Sequence, residues 1–265
     1  MKRLIALAMA LVCFTGGASA QDAQHFLVRE NESDQLSLID FEVQSGVMPR
    51  PSQPYDRDHH YGRWFDDPND QECQNTRAKI LIRDSQVRVT FTNPQRCTVR
   101  GGEWFDDYTG DVFRKASDIQ IDHMVPLKNS YISGGFAWPS QKRCLYANYL
   151  GFSEHLIPVS GIENQKKSDH TPAEYMPPAK SFRCRYLHNW LFIKLVWRLR
   201  LSAEEKFAID REVENSHCDQ SEFLISREDL AEQRQILREN AHYCDVRGDG
   251  KIIMQHPFQA VPLDP

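Results

Sequence analysis

Between residues 119 and 167 the chain runs through two strand-like stretches and a helix start in close succession. No other part of the sequence constrains the fold as tightly. In "IQIDHMVPL" (119–127) the apolar Ile119, Ile121, Met124 and Val125 surround one acid and one imidazole, Asp122 and His123, before Pro126 stops the run. "HLIPV" (155–159) reads as a second short strand. Ser160-Gly161-Ile162-Glu163 fits a capping box, Ser/Thr then Glu three residues on, which opens a helix. Asn164 and Lys167 share one face of that helix. Strand, strand and helix in this order can gather Asp122, His123, His155 and Asn164 around one point.

Those residue types suit metal-assisted phosphodiester hydrolysis. Asp and Asn oxygens are hard ligands for Mg²⁺, which keeps several waters and binds substrate phosphate. A neutral histidine takes a proton from an attacking water near pH 7. A lysine binds a phosphate oxygen as a point charge, a role open to Lys167. Without further context, an Asp-His pair at a strand end is more often a satisfied turn.

The first twenty residues read as a cleaved export signal. Lys2 and Arg3 precede the apolar "LIALAMALVCFTGG", and "ASA" stands before Gln21. The apolar run is short for a stop-transfer helix, and a retained anchor is the competing reading. No later segment is long and apolar enough to span a membrane. The full chain carries a net charge of −5 and becomes more acidic without Lys2 and Arg3. That balance counts against a non-specific polyphosphate binder. Residues 111–185 nevertheless hold ten Lys/Arg against seven Asp/Glu, so any basic surface is local. Setting Cys13 aside leaves Cys73, Cys97, Cys144, Cys184, Cys218 and Cys244. An even number in an exported chain points to disulfides, and the lack of any C-x-x-C argues against a zinc ribbon. Spacing alone does not choose among the pairings.

Residues 21–54, with three prolines in "GVMPRPSQP", read as a leader and linker. "TRAKILIRDSQVRVTF" suggests a short helix and then a strand with Val87, Val89 and Phe91 on one face. "GEWFDDYTGDVF" reads as a hairpin turning at Asp106 to Gly110. Its likeness to "GRWFDDPND" (62–70) is taken as two strands ending alike rather than as a repeat. "SQKRCLYANYL" suggests a helix, and Thr171-Pro172-Ala173-Glu174 a second capping box opening another. "YLHNWLFIKLVWRL" is apolar on most sides and reads as a buried helix. Ser202 and Ser226 cap two more. The class is α+β, with the helices concentrated late. His59 and His60 read as a solvated loop, Glu163 as a cap, Asp169 as a brace at a helix end, and Trp190 and Trp197 as core. "RGDG" (247–250) is a turn, and "GDGK" lacks the P-loop spacing.

"DIQIDHMVPL…HLIPVSGIENQKKSDHTPAEYMPP" resembles the HNH (ββα-metal, His-Me finger) nuclease superfamily. More closely, it is similar to secreted HNH proteins related to the nuclease domain of GmrSD-type restriction enzymes. "CQNTRAKILIRDS", "GEWFDDYTGDVF" and "FRCRYLHNWLFIKLVW" also have counterparts there. The resemblance covers residues 55–218 with its core at 117–178; residues 21–54 and a C-terminal helical extension, 219–265, lie outside it. It implies an α+β fold with a ββα-metal core, flanking strands and hairpin, C-terminal helices and disulfide bracing. It implies His123 as general base, Asp122 and Asn164 as metal ligands, and Lys167 at the family lysine. Arg77 in "CQNTR" is a further candidate for phosphate, with a structural ion pair as the competing role. One divalent cation is implied, Mg²⁺ being the expected one.

The sequence departs from the family pattern at three positions. His155 stands where Asn is usual, Ser168 where Gly is, and Tyr175 where Trp is. The first touches the mechanism, since that Asn holds the base, and His155 would either do the same or approach the metal. Four cysteines have counterparts, which implies Cys73–Cys97 and Cys184–Cys218; the two extra ones, Cys144 and Cys244, would then pair with each other. The expectation is an exported endonuclease acting on DNA, with RNA as the alternative substrate and no membrane partner after signal cleavage. The rival readings are a non-catalytic nucleic-acid-binding module on an HNH scaffold and a toxin-like nuclease effector.

Overall fold

The computed structural model describes residues 35–40, 50–65, 73–242, 244–246 and 252–254. Strand β1 (Gln35–Ser37) comes first, followed by helices α1 (Arg57–His60) and α2 (Thr76–Arg83). Strands β2 (Thr90–Phe91), β3 (Val99–Phe105) and β4 (Val112–Lys115) form an antiparallel three-stranded sheet. Strand β5 (Ile119–His123) leads through α3 (Leu127–Ile132) and α4 (Ser140–Ala147) to its antiparallel partner β6 (Leu156–Ser160). Helix α5 (Gly161–Lys167) follows without a break. Then come α6 (Arg183–Trp197), α7 (Ala203–Asn215), β7 (Leu224–Ser226), α8 (Arg227–Glu239), β8 (Cys244–Val246) and β9 (Ile252–Met254). The α+β class is the one expected. No helix among the described residues is long and apolar enough to cross a membrane.

Side-chain caps fix several helix starts, because an accepting oxygen satisfies N–H groups that have no partner inside the helix. Asn75 caps α2, and Ser160 caps α5 by accepting from Glu163 N–H at 3.1 Å. Ser202 with Glu205 and Ser226 with Asp229 form full capping boxes at α7 and α8. At α5 only half of the expected box forms. The Glu163 carboxylate turns instead to accept from the Tyr175 hydroxyl at 3.0 Å and from Lys166. The box expected at Thr171 forms by half, with Glu174 accepting from Thr171 N–H at 3.0 Å, and the segment makes a turn and no helix. Pro177 and Pro178 follow at once and cannot donate to a continuing helix.

The β5–β6 pair separates two apolar clusters. Ile119 and Ile121 of β5 join Leu156, Trp104, Ile80 and Leu81 on one side. Ile157 and Val159 of β6 join the larger cluster built around α6. Alternation along each strand makes this possible, since neighbouring side chains leave opposite faces. Eleven of the fifteen α6 residues are buried, Trp190 and Trp197 among them, so the helix is apolar all round because it is surrounded.

Other expectations need correction. The strand expected to carry Val87, Val89 and Phe91 shrinks to Thr90–Phe91, and Val87 is exposed. The leader expected over 21–54 is partly structural: β1 pairs with β7, and Leu36 and Leu38 enter the main core. Phe223, Leu230 and Ile236 enter the same core, so the described part of 219–265 is packed onto the body. His60 is buried rather than solvated, with Nε2 3.1 Å from the Tyr131 hydroxyl. The signal segment, residues 66–70 of "GRWFDDPND" and "RGDG" (247–250) lie outside the described residues.

Three disulfides close, Cys73–Cys97, Cys144–Cys244 and Cys184–Cys218, the pairs that the resemblance implied. Cys144–Cys244 ties α4 to β8 across a separation of 100 residues. In the chain-entropy account, a loop of that length lowers the denatured state's freedom by about 4–5 kcal/mol. Non-reducing peptide mapping should recover the same three links. The Cys144→Ala/Cys244→Ala double variant should lose roughly that much in urea unfolding. A map linking Cys244 to any other cysteine would contradict the arrangement.

Candidate active site

Asp122 and His123 end β5, and each is held by a different part of the fold. The hairpin turn between β3 and β4 supplies Tyr108, whose hydroxyl donates to Asp122 Oδ2 at 2.6 Å. Asp106 shapes that turn by accepting from Tyr108 N–H at 2.9 Å, and it also accepts from Ser160 N–H at 3.0 Å. One buried carboxylate thus locks the hairpin to the start of α5. The last residue of α5, Lys167, donates to Asp122 Oδ1 and to the His123 carbonyl, both at 3.0 Å. Lys167 is fully buried and Asp122 nearly so. Burial pushes the Asp122 carboxyl up and the Lys167 ammonium down, and their contact opposes both shifts. Burial and the adjacent Asp122 push the Tyr108 hydroxyl well above its usual range, so it stays a donor.

His123 Nε2 lies 3.0 Å from the carbonyl oxygen of Ala147, at the end of α4. A carbonyl can only accept, so Nε2 carries the proton and Nδ1 keeps the lone pair. Nδ1 has no hydrogen-bond partner among the described residues. The ring is also fixed from its faces, with Trp64 nearly parallel at a centroid distance of 5.3 Å and Tyr146 nearly parallel at 6.4 Å. Burial, and then the neighbouring His155, hold His123 well below the ordinary histidine range. The imidazole is therefore neutral near pH 7, the form able to accept a proton.

His155 is buried behind this arrangement. Its Nε2 donates to the Tyr146 carbonyl at 2.8 Å, and the same reasoning leaves Nδ1 with the lone pair, buried and without a partner. Burial lowers its pKa to about 4. It meets His123 only through edge-on ring packing at 6.3 Å and does not line the cleft. His155 and His123 thus hold the consecutive carbonyls of Tyr146 and Ala147. His155 braces the end of α4 rather than the base itself.

Asp122, His123 and Asn164 line one cleft of about 320 Å³, together with Tyr55, Arg57 and Lys128. The Asn164 amide N–H donates to Gln120 at 2.8 Å, leaving its Oδ1 without a hydrogen-bond partner among the described residues. Asp122 and Asn164 are thus one carboxylate and one neutral amide donor among the cleft-lining residues, with both Asp122 oxygens already accepting from Tyr108 or Lys167. This donor set fits a hard cation that keeps waters and meets a substrate phosphate. Among the described residues no group of three or more His, Cys, Asp or Glu side chains comes together as a metal cluster.

Two other candidates are directed elsewhere. Arg77 donates to the carbonyls of Ala116 and Ile119, both at 2.8 Å, and does not line the cleft. Lys167 sits beneath the cleft, on Asp122. Ser168, at the end of α5, has φ 47° in a backbone region that favours glycine, the residue usual there in the resembling family. Asp169 braces the site edge through Lys128 at 2.5 Å. Sequence reasoning did not single out Trp64, Tyr108, Arg57 or Ala147. Trp64 and Tyr108 stand in aromatic-rich stretches and Arg57 just before His59 and His60, but nothing in the sequence gave their distance to His123 or Asp122. Ala147 acts through its backbone, which no residue type announces.

A secreted protein resembles this chain over much of its length. In Arthroderma benhamiae (strain ATCC MYA-4681 / CBS 112371), a protein named "Uncharacterized secreted protein" is 36% identical over 169 residues, spanning 62% of this chain and 78% of its own. No family model matches the chain. No solved structure matches it either. The identity and coverage are enough to place the chain in the family of that secreted protein.

Proposed function

We propose that the protein is an exported, metal-dependent endonuclease that hydrolyses phosphodiester bonds in DNA, with His123 as general base. The observation that carries this reading is the hydrogen bond that sets the tautomer of His123 in a cleft that Asp122 and Asn164 also line. Export agrees with the apolar first segment and with the relative's name as a secreted protein.

In this mechanism His123 Nδ1 takes the proton of an attacking water, and the ring becomes an imidazolium. The Ala147 carbonyl, already accepting from Nε2–H, stabilises that charge. Trp64 and Tyr146 hold the ring plane, so the lone pair keeps its direction. Tyr108 and Lys167 orient Asp122. A divalent cation held by Asp122 and Asn164 would supply charge stabilisation to the phosphoryl oxygens. Lys167 already neutralises much of the Asp122 charge, so the cation should bind weakly on its own.

The test is plasmid nicking by purified mature protein across Mg²⁺ concentrations, with RNA in parallel. Magnesium-dependent nicking is expected. DNA binding with no turnover under any divalent cation would favour the non-catalytic binding module instead. Binding should depend only shallowly on salt, with a log–log slope on the order of −2 to −4, because the chain is net acidic and two cations line the cleft. A slope near −8 would reveal a basic surface beyond the cleft.

A further inference from the structure

We propose that Arg57 is the phosphate-binding residue of the cleft, gripping the nucleic-acid backbone beside the phosphodiester that is cut. The proposal rests on the endonuclease reading and names the residue by which that site holds its polyanionic substrate.

Many of the basic residues of 111–185 already have a carboxylate partner within the chain. Lys167 meets Asp122, Lys166 meets Glu163, Arg183 meets Glu212, Arg185 meets Asp107, and Arg114 meets Glu103. Arg77 is spent on backbone carbonyls. Two cations line the cleft, Arg57 and Lys128. Lys128 is held by Asp169, a rim carboxylate that would also repel a phosphate there. Arg57 is exposed, and its guanidinium has no carboxylate partner among the described residues.

Its position is also defined. The guanidinium carbon lies 5.8 Å from the centroid of the Trp64 ring. Trp64 is in turn stacked on His123. The free cation and the base thus both pack against one indole, and both line one cleft. A guanidinium offers a planar fork of donors that matches two phosphate oxygens, and stacking on an aromatic face costs it none of those donors. Asp56 and Asp58 flank Arg57 but are engaged elsewhere, Asp56 on His59 N–H and Asp58 on Arg63.

The experiment measures nicking rate against DNA concentration, and DNA binding against salt, for wild type, Arg57→Ala, Arg57→Lys and Arg114→Ala. Arg57 is exposed, so its removal leaves the fold intact. Arg57→Ala should raise KM about tenfold or more with kcat little changed, as expected for lost uniform binding. Its salt slope should be shallower by about one. Arg57→Lys should restore the slope but only part of KM, and Arg114→Ala should match wild type. A nicking wild type whose Arg57→Ala variant keeps both KM and salt slope overturns this proposal alone. A wild type that binds DNA without nicking leaves the slope comparison to decide it. A wild type that neither nicks nor binds overturns the endonuclease reading and this proposal together.

Discussion

Replacing His123 with alanine is expected to lower the nicking rate by about 10²–10⁴-fold, the usual range for loss of a positioned base. Added Mg²⁺ should not restore it, because Asp122 and Asn164 remain in place. Asn164→Ala should behave differently. It removes a neutral oxygen donor from the cleft, so a higher Mg²⁺ concentration should recover part of its rate. His155→Asn forms a third case. The shorter side chain loses the hold on the Tyr146 carbonyl and lets the end of α4 relax, so the rate should fall while the Mg²⁺ requirement stays the same. Initial nicking rate against Mg²⁺ concentration separates the three. A His123→Ala protein that cuts at the wild-type rate would end the HNH reading, however well the motif matches.

The second large effect is on stability. Lys167→Met should cost about 3–5 kcal/mol, because it strands a buried carboxylate without its cation. Tyr108 would still donate to Asp122, but a single neutral donor does not replace an ammonium at 2.9 Å. Asp122→Asn combined with Lys167→Met should recover much of the loss, since no uncompensated charge is left. Urea midpoints of the two single variants and the double variant measure this coupling. Single variants within about 1 kcal/mol of wild type would mean that the pair is solvated rather than buried.

Much of the local structure follows from the sequence alone. Ser160, Ser202 and Ser226 start helices because their hydroxyls accept from N–H groups close by in the chain. The alternation of Ile119, Gln120, Ile121 and Asp122 sets which side of β5 faces which cluster, because side chains leave a strand on alternate faces. The apolar α6 could only be a surrounded helix. The order of strand, strand and helix brought Asp122, His123 and Asn164 to one cleft, but His155, expected with them, does not line it.

What the sequence could not assign were partners that meet across long separations. Lys167 read as a phosphate ligand because its charge is evident from the sequence and its burial is not; the fold turns it onto Asp122. Val87 read as a strand residue by alternation, yet the β2–β3 pairing involves only Thr90 and Phe91 of that stretch and leaves Val87 exposed. Thr171 signalled a helix, but the segment makes only a turn before Pro177 and Pro178. The described residues 35–37 of the leader joined the fold because β1 found an edge at β7, almost two hundred residues further along the chain. The tautomer of His123 was decided by a backbone carbonyl at the end of α4, and every residue has such a carbonyl. Only the tertiary structure could determine which carbonyl His123 would meet.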